Sequence, residues 1–316
     1  MKTIIIGTRG SKMALVQARQ VQDLLKKRFP EHVFELLEIK SDGDINQGDL
    51  RKAGGKGAFV RKLDQALLEN RIHLAVNSMK DIPNDHERTP GVSIFGVLPR
   101  PDVREALISR SGAKLNELPP GTKIGTGSPR RSSFLKRLNH GLIPVYFRGN
   151  ADTRIGKLDT GEVDAILLAK SGLERIERQD RITEIIPPEI ICPPFGAGII
   201  TIDACNADPD SQAIAATVSD PLTFAMMRAE RSFLNTLRGD CHTACAGYCV
   251  QNPDGALTLR GMLLSDDGQT CIQGFRTGLI SQAEEIGDSL AAELLKNGGE
   301  ALIQEQKDRE ARESSS

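Results

Sequence analysis

Short apolar runs alternate with helical stretches along the chain up to about residue 218, the pattern of an α/β fold. Twice the passage from strand to helix carries arginines. Lys123-Ile-Gly-Thr-Gly-Ser-Pro-Arg-Arg131 joins a strand expected over 122–125 to a helix over 129–138, and Pro129 suits a first helical position. Val145-Tyr-Phe-Arg-Gly-Asn-Ala-Asp-Thr-Arg154 joins a strand over 143–147 to a helix over 151–159. A helix start offers unpaired N–H groups and partial positive charge. Arginine adds a planar fork that matches a carboxylate or phosphate.

The chain as a whole is not basic: Lys+Arg is 41 and Asp+Glu is 42. The arginines therefore read as a local anion clamp rather than a nucleic-acid surface, which needs a basic excess. With no Trp and 4% aromatics, base-stacking platforms are excluded as well. The apolar run at residues 4–6 is too short for a secretory signal, and no run reaches membrane-spanning length. A cytoplasmic protein with reduced cysteines is expected.

At 316 residues the chain has room for two or three cores. Strands are expected at 3–8, 33–39, 72–76, 92–98, 105–109, 163–168 and 199–204. Helices are expected at 11–28, with Ser11 as N-cap and Ala14, Ala18, Val21 and Leu25 on one stripe, and at 57–69. The Pro-rich run 187–194 reads as a crossing or hinge. After residue 218 a helix (221–237), two strands with turns at 252–255 and 265–268, a helix (282–296) and a disordered tail (305–316) are expected. The domains are then 1–99 with 199–217, 100–198, and 218–316. The first two are α/β domains like those of periplasmic binding proteins around a cleft; the third is a smaller α+β domain.

Ligands of open α/β sheets bind beyond the carboxyl ends of strands. Arg9 and Ser11 occupy such a position after the first strand, and Arg130, Arg131, Arg148 and Arg154 do so in the second domain. Each arginine alone would serve equally as a surface ion pair. Asp81 follows the strand at 72–76, beside Ser78 and Lys80; a carboxylate in a cationic cleft stabilises positive charge or moves a proton. As a lone residue it also suits a turn. Gly54-Gly-Lys-Gly57 lacks the Walker spacing, so it reads as a loop carrying Lys56, not a nucleotide site. Cys241-His-Thr-Ala-Cys245-Ala-Gly-Tyr-Cys249 has no second cysteine pair, and no metal is expected. Cys241 is the cysteine best placed to be exposed and reactive.

Taken together and in order, these motifs resemble the porphobilinogen deaminase (hydroxymethylbilane synthase) family. The resemblance runs from Gly7-Thr-Arg-Gly-Ser-Lys-Met-Ala-Leu-Val-Gln17 through Lys40-Ser-Asp-Gly-Asp44, Ala75-Val-Asn-Ser-Met-Lys-Asp81 and the two arginine junctions. It continues in Asp164-Ala-Ile-Leu-Leu-Ala169 and in Ala229-Glu-Arg-Ser-Phe-Leu234 leading to Cys241. It implies a transferase that joins four porphobilinogen molecules head to tail, releasing ammonia, to make the linear tetrapyrrole hydroxymethylbilane. It further implies a dipyrromethane cofactor, itself two substrate units, attached covalently to Cys241. Asp81 then matches the catalytic aspartate. Arg130, Arg131, Lys80, Ser78, Thr126 and Ser128 match cofactor contacts. Arg9, Ser11, Arg148, Arg154, Arg175 and Lys56 match substrate contacts. The partners implied are porphobilinogen and the growing tetrapyrrole, with no nucleic acid and no membrane, bound by a monomer.

Several positions depart from the family pattern. Asn77 stands for a usual His, His73 for an Asp, Gly127 and Pro129 for Ser and Leu, and Ala197 for a hinge Gln. Glu105 closes a changed Arg100-Pro-Asp-Val-Arg-Glu segment, and Asp240 and His242 flank Cys241. The alternative function is a low-activity paralogue, or a two-lobed module that binds porphobilinogen-like anions without turnover.

Overall fold

The structure is a computed structural model that describes residues 1–40, 57–138, 140–237 and 244–314. Lys56 and Cys241 lie outside the described residues. The chain divides into two compact units, Met1–Pro101 with Gly198–Met227, and Asp102–Ala197 with Arg228–Ser316.

The first unit is built on a five-stranded sheet. β1 (Thr3–Thr8) lies between β2 (Val33–Glu38) and β3 (Leu74–Ser78), and all three are parallel. β10 (Ile200–Cys205) runs antiparallel to β3 and to β4 (Val92–Val97), which forms the far edge. Helix α1 (Lys12–Arg28) starts at Ser11, whose hydroxyl accepts from the Ala14 N–H at 3.3 Å. Such a cap contributes about 1 kcal/mol. The stripe Ala14, Ala18, Val21 and Leu25 is buried, as the spacing predicts. Ala18, Val21 and Leu25 share a core with Ile4, Ile6, Leu74 and Val76 on one sheet face. Helix α2 (Gly57–Leu68) buries Leu63, Ala66 and Leu67 with Ala75, from the other side of β3. The alternation Leu74/Ala75/Val76 is the period-two signature of a strand covered on both faces.

The second unit repeats the same order of strand directions. β6 (Lys123–Thr126) is parallel to β7 (Ile143–Tyr146) and β8 (Ala165–Ala169). β5 (Glu105–Ser109) is antiparallel to β8 and to the edge strand β9 (Glu184–Ile186). Helices α3 (Pro129–Arg137), α4 (Ala151–Asp159) and α5 (Lys170–Arg175) follow β6, β7 and β8. In each sheet the fourth strand is the one made just after the chain arrives from the other unit, β5 and β10.

Among the described residues the remaining α-helices are α6 (Pro209–Ala216), α7 (Pro221–Leu237), α8 (Ala283–Leu294) and α9 (Glu300–Ser314). The antiparallel sheet β11 (Ala244–Gln251), β12 (Leu257–Leu264) and β13 (Cys271–Gly278) belongs to the second unit. Ala244, Ala246 and Tyr248 on one face of β11 share a core with Phe134 and Leu135 of α3. Gly247, on the other face, leaves room for Phe195: a Cβ there would lie 2.2 Å from that ring. The two five-stranded α/β sheets and the smaller C-terminal sheet-and-helix part are the expected fold class. Among the described residues, no helix is long and apolar enough to cross a membrane.

Three expectations are corrected. β3 begins at Leu74 rather than residue 72: Ile72 fills the space above Gly7, where a Cβ would lie 2.4 Å from Ile72 Cδ1. Among the described residues three strands, not two, lie between α7 and α8, because each of the two turns at 252–255 and 265–268 separates a pair. Residues 305–314 of the tail expected to be disordered belong instead to the helix Glu300–Ser314, reached after Gly298 turns the chain at φ +109°.

Candidate active site

In the first unit, parallel pairing brings the ends of β1 and β3 to one edge. Arg9 follows β1, and Asp81 lies in a single 3-10 turn, Met79–Asp81, that follows β3. The Arg9 guanidinium stands 4.0 Å from the Asp81 carboxylate, with both side chains partly open to solvent. Lys80 beside it is exposed. Ser78 is hydrogen-bonded to the buried Gln17 amide of α1 at 2.9 Å, so its hydroxyl is already engaged. The Ser11 hydroxyl accepts in the α1 cap and retains its own O–H to donate.

Behind this edge lies a buried polar group that the sequence did not reveal. Asn77 donates to Asp203 at 2.8 Å, and Arg88 donates to Asp203 at 2.9 Å and to Asp64 at 3.2 Å. Burial pushes the Asp64 carboxyl up, against the pull of Arg88. His73 Nδ1 accepts from the Ile5 N–H at 3.0 Å, so an imidazole does there what a carboxylate would do.

In the second unit, the turn after β6 is closed by its own hydroxyls. Thr126 Oγ1 accepts from the Ser128 N–H at 3.1 Å, and Ser128 Oγ caps α3 by accepting from the Arg131 N–H at 3.4 Å. Arg130 is buried, donating to the Cys192 carbonyl and to Glu105. Arg131 donates to the other Glu105 oxygen at 2.6 Å and to the Leu167 carbonyl at 2.9 Å, while its buried Nε–H has no partner. Burial would raise the Glu105 carboxyl, but Arg131 and Arg130 outweigh it and hold the group at about 2. Arg130 and Arg131 thus share one carboxylate, with Arg130 the more deeply buried of the two.

The second junction is equally local in origin. Gly149 takes φ +127°, and Asn150 caps α4 by accepting from the Thr153 N–H at 2.8 Å. Arg154 turns back to donate to the Gly149 carbonyl at 2.8 Å. Burial first, then the neighbouring Arg131 and Arg148, push the Arg154 guanidinium down to about 10. Gly127 lies against both junctions: a Cβ there would be 3.6 Å from Arg154 Nη2 and 4.0 Å from Arg148 Cγ. Arg131, Arg148 and Arg154 are thus brought together. Arg175 ends α5, and burial lowers its guanidinium pKa.

Glu105, which the sequence shows only as a departure from the family pattern, is the carboxylate that pairs with both Arg130 and Arg131. Its one local signal is an acidic residue opening an otherwise apolar strand. Tyr146, 65% exposed at the end of β7, adds a phenol to the surroundings of Arg154.

A dipyrromethane carries acetate and propionate carboxylates. Arg131, Arg148 and Arg154 stand together, and no carboxylate among the described residues answers Arg154, so the second unit's residues fit such an anion. Fold and site define an α/β protein with two mixed sheets, a set of clustered arginines and an open carboxylate at a strand edge.

Residues 4–213 match the family model described as porphobilinogen deaminase, dipyromethane cofactor binding domain, and residues 224–296 match its C-terminal domain. Porphobilinogen deaminase of Bacillus subtilis is 40% identical over 306 residues, 96% of each chain. That of Bordetella parapertussis is 39% identical over 306 residues, again 96% of each. That of Deinococcus radiodurans is 39% identical over 308 residues, 96% of this chain and 99% of the relative. The chain belongs to the porphobilinogen deaminase family.

Proposed function

We propose that the chain is a hydroxymethylbilane synthase, a transferase that joins four porphobilinogen units head to tail in tetrapyrrole biosynthesis. In each addition the C–N bond of the incoming aminomethyl group breaks and ammonia leaves. A C–C bond forms to the free pyrrole carbon at the end of the growing chain, and that carbon loses its proton. Asp81 is the residue for this chemistry: its carboxylate balances the cation left by ammonia and takes up the proton. Arg9 beside it binds a substrate carboxylate, with Ser11 and Lys80 in support. Arg131, Arg148 and Arg154 bind carboxylates of the growing chain, Arg175 and Lys56 add further positive charge, and Thr126 and Ser128 donate hydroxyl hydrogen bonds, while the Ser78 hydroxyl is held by Gln17. Arg130 acts behind Arg131 by sharing Glu105. Dipyrromethane, held covalently by Cys241, supplies the first free pyrrole carbon when bound. Holding the chain end on the protein makes each addition intramolecular.

The observation that carries this is the cluster of Arg131, Arg148 and Arg154, in which Glu105 answers Arg131 and no carboxylate among the described residues answers Arg154. An anion acquiring charge with each added unit needs such a surplus. We assign residues 218–316 as a third domain that presents Cys241, and a monomer working in the cytoplasm. The test is intact mass and peptide mapping before and after porphobilinogen is added. Increments on the Cys241 peptide, with ammonia released as porphobilinogen is consumed, are expected. An unmodified Cys241 and no ammonia would defeat the assignment.

A further inference from the structure

The turn between β12 and β13 sits between two helices of the second unit. On one side it meets the last turn of α3. Lys136 donates to the Asp266 carbonyl at 2.8 Å and Arg137 to the Gly268 carbonyl at 3.4 Å. Gly268, at φ +74°, lies so near that a Cβ would fall 2.4 Å from the Ser133 carbonyl. On the other side the turn meets α9. The Asp266 carboxylate accepts from Gln306 at 3.2 Å and pairs with Arg309. Gln306, itself buried, also donates to the Leu264 carbonyl at 3.0 Å, and Leu302 and Ile303 are each only 6% exposed.

The turn is stiff in its own right. Ser265 and Thr270 exchange hydrogen bonds, and Asp267 accepts from the Gln269 N–H at 3.0 Å. Helix α3 is nine residues long and carries Arg130 and Arg131 at its other end. A helix that short is rigid, about 13 Å from end to end. Whatever fixes its last turn also fixes the direction of its first. The match to the C-terminal family domain ends at residue 296, so α9 lies beyond it.

We propose that α9 is a strut: through Asp266 it positions α3, and so aims Arg131 at the ligand carboxylates. Gln306, Arg309 and Asp266 are positioning residues for the carboxylate-binding end of α3. The role of Arg131 rests on the function proposed above; the mechanical link does not.

The experiment compares wild type with Gln306→Ala/Arg309→Ala and with Arg309→Lys, by hydrogen exchange and by porphobilinogen kinetics. Both are done well below the melting temperature of each protein. In the double variant, amides of residues 132–137 should exchange faster while those of β5 stay protected. KM for porphobilinogen should rise about threefold to tenfold with kcat within about twofold, whereas Arg309→Lys, which keeps the charge, should stay near wild type. Unchanged exchange in α3, or a KM equal to wild type, overturns the strut. A fall in kcat alone overturns it too, since loosened structure without misaimed binding would then suffice. If wild type itself turns over no porphobilinogen, the proposed function fails, and the exchange of residues 132–137 still decides the mechanical link.

Discussion

Arg9 and Asp81 face each other at 4.0 Å, each just beyond the carboxyl end of one of two adjacent parallel strands. The pair is a product of sheet order: parallel neighbours finish at the same edge, so residues more than seventy positions apart meet there. At that distance the two attract without the fixed geometry of a hydrogen bond. The carboxylate stays available to a substrate. Asp81→Asn keeps the shape and removes the charge. Turnover of porphobilinogen should fall about 10²- to 10⁴-fold, the usual worth of a positioned acid–base group. The thermal melt should hardly move, because the side chain is partly exposed. Initial rates and a melt on the same preparation check both.

Glu105 is the buried counterion of Arg130 and Arg131. Glu105→Gln leaves two guanidinium groups facing each other without a carboxylate. Breaking a buried pair in this way costs about 3–5 kcal/mol. Urea unfolding of wild type and variant at neutral pH measures it.

The same carboxyl titrates at about 2 in the folded chain against an ordinary 4.5. A folded pKa below the unfolded one gives stability that is present above pH 4.5 and lost as pH falls toward 2. Asp64, whose carboxyl burial raises, works in the opposite sense, so the informative quantity is the gap between wild type and Glu105→Gln. That gap should be full at pH 6 and should shrink steadily below pH 4.5. A gap that does not change with pH would contradict the assignment of the ionised form.

Arg154 is held against its electrostatic preference, half-buried beside two other arginines. Arg154→Leu should therefore abolish or cripple turnover while raising the melting temperature, by about 2–4 °C. A melting temperature that drops would mean that the Gly149 hydrogen bond outweighs the repulsion.

Gly127 keeps the space between Arg148 and Arg154 open. Gly127→Ser adds one small group, tight against the Phe147 carbonyl at 3.1 Å, and kcat/KM should stay within a few-fold. Gly127→Val places branched carbons against the Arg154 guanidinium and the aliphatic stem of Arg148. It should lower kcat/KM about 10- to 100-fold, the scale of a misplaced binding group.

Much of this molecule was settled locally. Ser11 caps α1, Ser128 caps α3 and Asn150 caps α4, because each bond spans three residues and neither end needs a tertiary partner. The same holds for the α1 stripe and for the strand-to-helix junctions that carry the arginines. Collinear motifs were enough to name the family, since they record residue identity in order and not contact.

Tertiary structure alone decided which charges neutralise one another. Glu105 meets Arg130 and Arg131 from 25 and 26 positions away, and Asn77 meets Asp203 from 126. Neither separation leaves a periodic trace. The start of β3 shifted because Ile72 was drawn into the space above Gly7, a packing preference that strand propensity does not contain. Residues 300–314 became a helix despite their charge because Leu302, Ile303 and Gln306 found a buried surface to rest on. Short-range hydrogen bonds and spacing are written in neighbouring letters; charge compensation and burial depend on what the fold brings from far away.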